Sequence, residues 1–345
     1  MYSIIKFDPI QPLFINEKQS MTTPQPFEFR RSRDFGESFS ALSEFLRNNI
    51  RNLFKSLLFI AGPLILGVAS SYIGTSDAVA TLSGANPNPE QFSGEIGIFI
   101  FGVILFVLIY FFTLAVILSI VCEYIRYSME TAEDKEQFTV SLLWGRIKAR
   151  FSRHLGNFFM MNCIASLTMI PFIIATALIL VIGFERDTKI TIFVFLFLGA
   201  LFVIAYTVTA LTLLPMMRTM EDIDIIDGIR RSFYLIKKHF WATVGFYIVV
   251  WIIQMVVLYA IAIPLNLIIS EVPPLLFPQT PDGEGGMGSF KIIFQIFLVA
   301  VKIVEVGLGL ILNGMAVTAH ALQYFNLVEQ KEGVGMMSKL ELIGF

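Results

Sequence analysis

The residues best placed to do chemistry lie where ionisable groups are rarest. A long apolar run near the C-terminus carries Gln295, Lys302, Glu305, Asn313 and His320. At about 100° per residue these five fall within about 80° of arc on one helix face. A charge at mid-membrane costs a few kcal/mol, so each such residue is a candidate for a site or an ion path. Lys302 and Glu305 are three apart and able to neutralise each other. A second run offers Thr243, Tyr247 and Gln254 on one face, with Asn266 off that face beyond Pro264. Together these residues define a polar seam, which would either bind or conduct a solute or simply fasten helices by hydrogen bonds.

Other chemistries have little support. His154, His239 and His320 are the three histidines, and no carboxylate joins them at a fixed spacing. No CxxC pair, HExxH, GxSxG or phosphate-binding loop occurs, so no metal and no cofactor is expected. An enzyme is therefore not the expectation. An enzyme acting on lipid headgroups would have to gather His154, His239 or His320 with Glu123 or Glu221. The two cysteines, Cys122 and Cys163, read as small buried apolar residues.

The elements that carry the seam are membrane spans. Of 345 residues, 56% are apolar and 15% charged, and no soluble fold hides that much apolar surface. With a net charge of -2 there is no case for nucleic acid as a partner. A bilayer core requires about 20 apolar residues per helix. Six stretches qualify: Leu53–Ile73, Ile96–Val121, Phe158–Gly183, Ile190–Met217, Trp241–Ile269 and Ile292–Tyr324. Pro63, Pro171 and Pro264 predict kinks in the odd-numbered spans, and Pro215 closes the fourth. The segments Thr75–Gly94 and Glu271–Ser289 read as loops. Most Lys and Arg residues fall on one side of the six spans, which places both termini in the cytoplasm. Residues 1–33 read as a disordered segment, with Met21 a second candidate start, and residues 34–345 as a single membrane domain.

Before each odd-numbered span lies an amphipathic stretch. Phe39, Leu42, Leu46, Ile50 and Leu53 recur at helical spacing, as do Val140, Leu143, Ile147, Phe151 and Leu155. The third series is Ile226, Ile229, Phe233, Ile236 and Phe240. FLRNNIRNLF, RFSRHLGNFF and YLIKKHFWAT put Asn49 and His154 in register at the fifth position, with His239 one residue further on at the sixth. The predicted fold is therefore all-α. It has three hairpins in a threefold parallel repeat (about 36–130, 139–221 and 224–329), each preceded by a cytoplasmic interfacial helix. Arg146, Arg150, Arg153, Arg230, Arg231, Lys237 and Lys238 flank the second and third stripes. They are candidates to hold anionic lipid headgroups, at about 1 kcal/mol each. Membrane lipids are the expected partners; protein partners are not specified.

The stretch RRSFYLIKKHFWATVGFYIVV (Arg230–Val250) and the tail YFNLVEQKEG (Tyr324–Gly333) resemble a family of uncharacterised bacterial polytopic membrane proteins. That family is similar to the membrane domain attached to some glycerophosphoryl diester phosphodiesterases. The likeness runs from about Phe35 to the C-terminus and implies a bacterial inner membrane. It carries no catalytic signature, and no stretch is long enough for the phosphodiesterase barrel, so that activity is not implied. Relatives labelled carotene oxygenases imply several histidines on iron, a ligand set this chain does not offer. The favoured expectation is a lipid-associated membrane module or scaffold. A transporter or channel using the sixth-span stripe is the alternative, and a lipid-headgroup enzyme the third.

Overall fold

A computed structural model describes residues 27–83, 89–131, 138–182, 185–276 and 288–337. These residues form ten α-helices and one π-helical turn, with no strand among them. Helix α1 (Phe35–Ser56) passes through the π turn (Leu57–Ala61) into α2 (Gly62–Ser83). The long α3 (Pro89–Glu130) follows, then α4 (Val140–Leu167), α5 (Ile170–Val181) and α6 (Arg186–Leu211). The chain continues through α7 (Leu214–Glu221), α8 (Ile225–Ile236), α9 (Phe240–Leu276) and α10 (Gly288–Glu332). Six helical segments are long and apolar enough to cross a membrane, and they coincide in order with the six predicted spans.

Proline sets the breaks. Pro63 lacks an N–H, and its ring crowds the carbonyl four residues earlier; the turn just before it is widened to π geometry. Thr168–Met169 and Thr212–Leu213 interrupt the helices just before Pro171 and Pro215, which lie in the first turns of α5 and α7. Pro264 is carried inside α9. Both predicted loops are shorter than expected. Helix continues to Ser83 and resumes at Pro89, and α9 runs to Leu276. Extending an existing helix adds one hydrogen bond per residue fixed, so a weak helix former at its end does not stop it.

The first amphipathic stretch is continuous with its span. Phe35–Thr75 is 41 residues, about 60 Å of helix against a hydrocarbon core of about 30 Å. Of its predicted stripe Leu42 and Leu53 are buried, Phe39 and Leu46 half-buried and Ile50 exposed, while Phe45, outside the stripe, is fully buried. Leu143 and Ile147 of α4 and Ile236 of α8 are fully buried in the same way. Only α8 is set apart from its span, by the turn at Lys237–His239.

The core sits at the basic end. Phe45, Ile117, Ile120, Ile125, Leu213 and Phe325 are among its fully or almost fully buried side chains. At the other end apolar side chains face outward, Leu180 at 71% and Phe195 at 72% exposure. That is the pattern of a bundle whose solvent there is lipid.

The expected boundary at residue 33 falls inside packed chain. Phe29 is buried against Phe325, ring centroids 5.5 Å apart, and stacks edge-on to Phe45. The Arg33 backbone N–H donates to Asn326 Oδ1 at 2.8 Å, and Gln330 Nε2 donates to the Arg33 carbonyl at 2.9 Å. Aromatic residues pulled this short segment onto α10. Residues 1–26 lie outside those described.

Candidate functional site

The polar seam forms where α9 and α10 run side by side. Its outermost link is a triad. Lys302 Nζ lies 2.9 Å from Glu305 Oε2 and donates to Asn266 Oδ1 at 3.0 Å. Asn266 Nδ2 donates in turn to Glu305 Oε1 at 3.4 Å. Thus Asn266, which helix spacing sets off the Gln254 face, joins the seam through Lys302 and Glu305. Further along, Gln254 Nε2 donates to the Leu312 carbonyl at 2.6 Å. The Tyr247 and His320 rings meet edge-on with centroids 4.4 Å apart, and Thr212 reaches the Tyr247 hydroxyl at 3.4 Å. Gln323 Nε2 donates to Thr243 Oγ1 at 3.0 Å. Asn313 turns back on its own helix, donating to the Gly309 carbonyl at 2.9 Å. The Gln295 side chain lies outside those described.

The glycines of α10 serve a different contact. A Cβ on Gly314 would meet Leu57 at 3.0 Å, and one on Gly307 would meet Ile65 at 3.3 Å. Seven residues apart, they let α10 lie close against the π turn and α2, not against α9.

A second polar layer occupies the basic end. Glu123 of α3 is fully buried, with Arg150 Nη1 at 3.0 Å from one oxygen and His154 Nε2 at 3.0 Å from the other. His154 Nδ1 and Asn157 Nδ2 are buried without a hydrogen-bond partner among the described residues. Arg218 reaches Asn157 Oδ1, and Arg126 donates to the Thr219 carbonyl at 3.0 Å. Arg231 forms a fork with Glu332, both bonds 2.9 Å, and also meets Glu221. The Tyr324 hydroxyl donates to the same Glu221 at 2.7 Å. A bidentate guanidinium–carboxylate pair of this kind fixes geometry as well as charge.

These contacts divide the basic residues that sequence assigned to headgroups. Arg146 pairs with Glu130, Arg150 with Glu123, Arg153 with Asp222, and Arg231 with Glu221 and Glu332. Arg230 is exposed with a long 3.4 Å contact to Asp227. Lys237 and Lys238 are exposed and stand in no ion pair among the described residues. Arg153 beside Asp222 holds that carboxyl below its ordinary range, first by hydrogen bonding and then by charge. His239 is pushed below the usual histidine value by partial burial, then by Lys331 and Lys238.

His239 also borders a small polar cavity of about 140 Å³ with Arg33, Ser38, Gln323, Asn326 and Gln330. A larger apolar groove of about 570 Å³ lies between α1–α2 and α10. Glu123 and His154 line neither. No group of three or more His, Cys, Asp or Glu suited to a metal ion occurs among the described residues.

The sequence did not anticipate the bonds of Asn266 to Lys302 and Glu305, the pairing of Asn157 with Arg218, or the crossing of Arg33 with Asn326. The register of Asn49 and His154 was the one usable signal: both meet α3, Asn49 through the Tyr124 hydroxyl at 2.8 Å and His154 through Glu123. No protein-family model, curated protein or solved structure matches the chain.

Proposed function

We propose that this protein is a non-enzymatic, lipid-associated membrane module. In this reading it sits in a bacterial inner membrane with both termini in the cytoplasm. Its six spans act as three hairpins, each led by a basic amphipathic helix, in the manner of the membrane domain attached to some glycerophosphoryl diester phosphodiesterases. The observation that carries the reading is the way the polar stripe is used. Lys302 and Glu305 both bond Asn266 of α9, Gln254 of α9 bonds the Leu312 carbonyl of α10, and the His320 ring packs edge-on against Tyr247. Such links favour packing over a conduction path. At the basic end, Arg230, Lys237 and Lys238 remain exposed to meet anionic lipid, at about 1 kcal/mol each.

The enzyme reading has one observation on its side, the Glu123–His154 contact at 3.0 Å. Both side chains are fully buried and Arg150 covers the carboxylate, so the contact serves folding better than substrate access.

The test is thermal stability in nanodiscs of increasing phosphatidylglycerol content. Wild type gains stability with anionic lipid. The variant Arg230→Gln/Lys237→Gln/Lys238→Gln loses most of that gain. Equal melting in neutral and anionic discs for both proteins overturns the reading.

A further inference from the structure

The groove between α1–α2 and α10 is apolar along its length and is flanked by cations at one end. Its walls are Phe54, Leu58, Phe59, Gly62 and Leu66 on one side and Val304 and its neighbours up to Ile311 on the other. At about 570 Å³ it falls within the about 300–1,000 Å³ of small-molecule sites. From Phe54 to Leu66 it runs about 18 Å along the helix, roughly half of a 30 Å hydrocarbon core. That is the depth of one leaflet.

The π turn sits at its wall, and Leu58 and Phe59 belong to it. Single π turns inside long helices recur at functional sites. Arg47, Arg51 and Lys55 are exposed at four-residue spacing on the same helix, and Arg51 and Lys55 flank Phe54, where the groove wall begins. A positive rim above an apolar slot of one-leaflet depth matches an anionic phospholipid.

We propose that this groove holds one acyl chain of an anionic phospholipid, with its headgroup on Arg51 and Lys55 and Arg47 behind them. The proposal rests on the lipid-associated reading and deepens it by naming a single discrete site. Gly62 offers a clean way to close it, since a Cβ there meets nothing within 4 Å. A Gly62→Phe side chain would enter the groove without striking the helix backbone. Leu58→Trp, at a position 49% exposed, is a second block that leaves helix packing in place.

The experiment is native mass spectrometry of the full chain in mild detergent, with added phosphatidylglycerol or phosphatidylcholine of identical acyl chains. Wild type retains one phosphatidylglycerol about 10- to 30-fold better than phosphatidylcholine, as two cations predict. Gly62→Phe and Leu58→Trp both lose retention of either lipid, with melting close to wild type. Arg51→Gln/Lys55→Gln still holds a lipid but without preference. Equal retention of the two lipids by wild type, or unchanged retention in both blocked variants, overturns the site. So does a lipid-free dimer that Gly62→Phe converts to monomer, because the groove would then hold a second copy. The Arg230, Lys237 and Lys238 variant reports on the broader reading: if it loses the nanodisc gain while the groove variants change nothing, only the groove proposal fails.

Discussion

At the basic end, α10 is gripped from three directions. Asn326 takes the Arg33 backbone, Glu332 takes the Arg231 fork, and Tyr324 reaches Glu221. About twenty residues earlier the same helix is held differently, by Lys302, Glu305 and Asn266, with the two charged side chains 31% and 26% exposed. Residues 321–329 of α10 are all buried, whereas Val304 beside the triad is 55% exposed. One end of the bundle is built like the interior of a soluble protein and encloses Glu123 and His154 completely, while its Arg231–Glu332 fork is about as exposed as the outer pair. The other is a loose apolar splay with, among the described residues, one ionic rivet. Enclosed charge is costly to leave unpaired, while half-exposed charge has other ways to be satisfied. Mutations that remove one partner should therefore hurt very differently at the two ends.

The largest effect is expected at Glu123. Glu123→Ala removes the hydrogen-bond partner of the fully buried His154 and leaves a cavity, while Arg150, 34% exposed, can turn to water, so a cost of about 3 kcal/mol is expected. The variant should lose most of its monodisperse yield, read by size-exclusion chromatography and thermal melting. A melting point near wild type would erase the distinction between the two ends.

Gly314→Val comes next. Leu57 already lies at 3.0 Å from where a Cβ would stand, so overpacking of about 1–3 kcal/mol is expected. Gly309→Ala, which meets nothing within 4 Å, should be neutral or better in the same melting assay. Equal effects would mean that the close approach to α2 carries no strain.

At the outer triad the effect is smaller and reversible by design. Lys302→Ala leaves Glu305 without its cation and lowers folding yield. Lys302→Ala/Glu305→Ala restores much of it, because the uncompensated charge is gone. If single and double variants both match wild type, the triad faces water or headgroups and is no rivet.

The smallest effect is a pH dependence at His239. Its folded pKa lies below the ordinary histidine value, so the unfolded chain binds the proton more readily. The associated stability is present above about pH 6.5 and is lost as pH falls through that value toward the depressed folded pKa. His239→Gln should flatten melting between pH 7.5 and about 5.5 by a small amount. An unchanged slope would remove His239 from the acid response.

The spans were legible because an apolar run of about twenty residues has few alternatives. Proline positions likewise forecast the breaks before Pro171 and Pro215. The basic end was not legible. Its pairs join residues far apart in sequence, Arg33 with Asn326 across 293 positions and Arg231 with Glu332 across 101. Counting Lys and Arg by side gives an orientation, yet it cannot tell a cation held by Glu123 from one left for lipid. Asn266 escaped for a local reason. Simple helix arithmetic set it off the Gln254 face, but α9 passes Pro264 before reaching it, and Lys302 is long enough to cross. The Lys302–Glu305 pair was visible because it is local, three residues apart on one helix.

The central claim is that the α9–α10 stripe fastens helices and does not line a water-filled path. Cysteine accessibility tests it directly. With Cys122→Ala and Cys163→Ala as background, Asn313→Cys and His320→Cys are exposed in intact vesicles to a membrane-impermeant maleimide. Neither position should label from either side before detergent is added. Rapid labelling of Asn313→Cys in sealed vesicles would mean that water reaches the middle of the stripe, and would contradict the account.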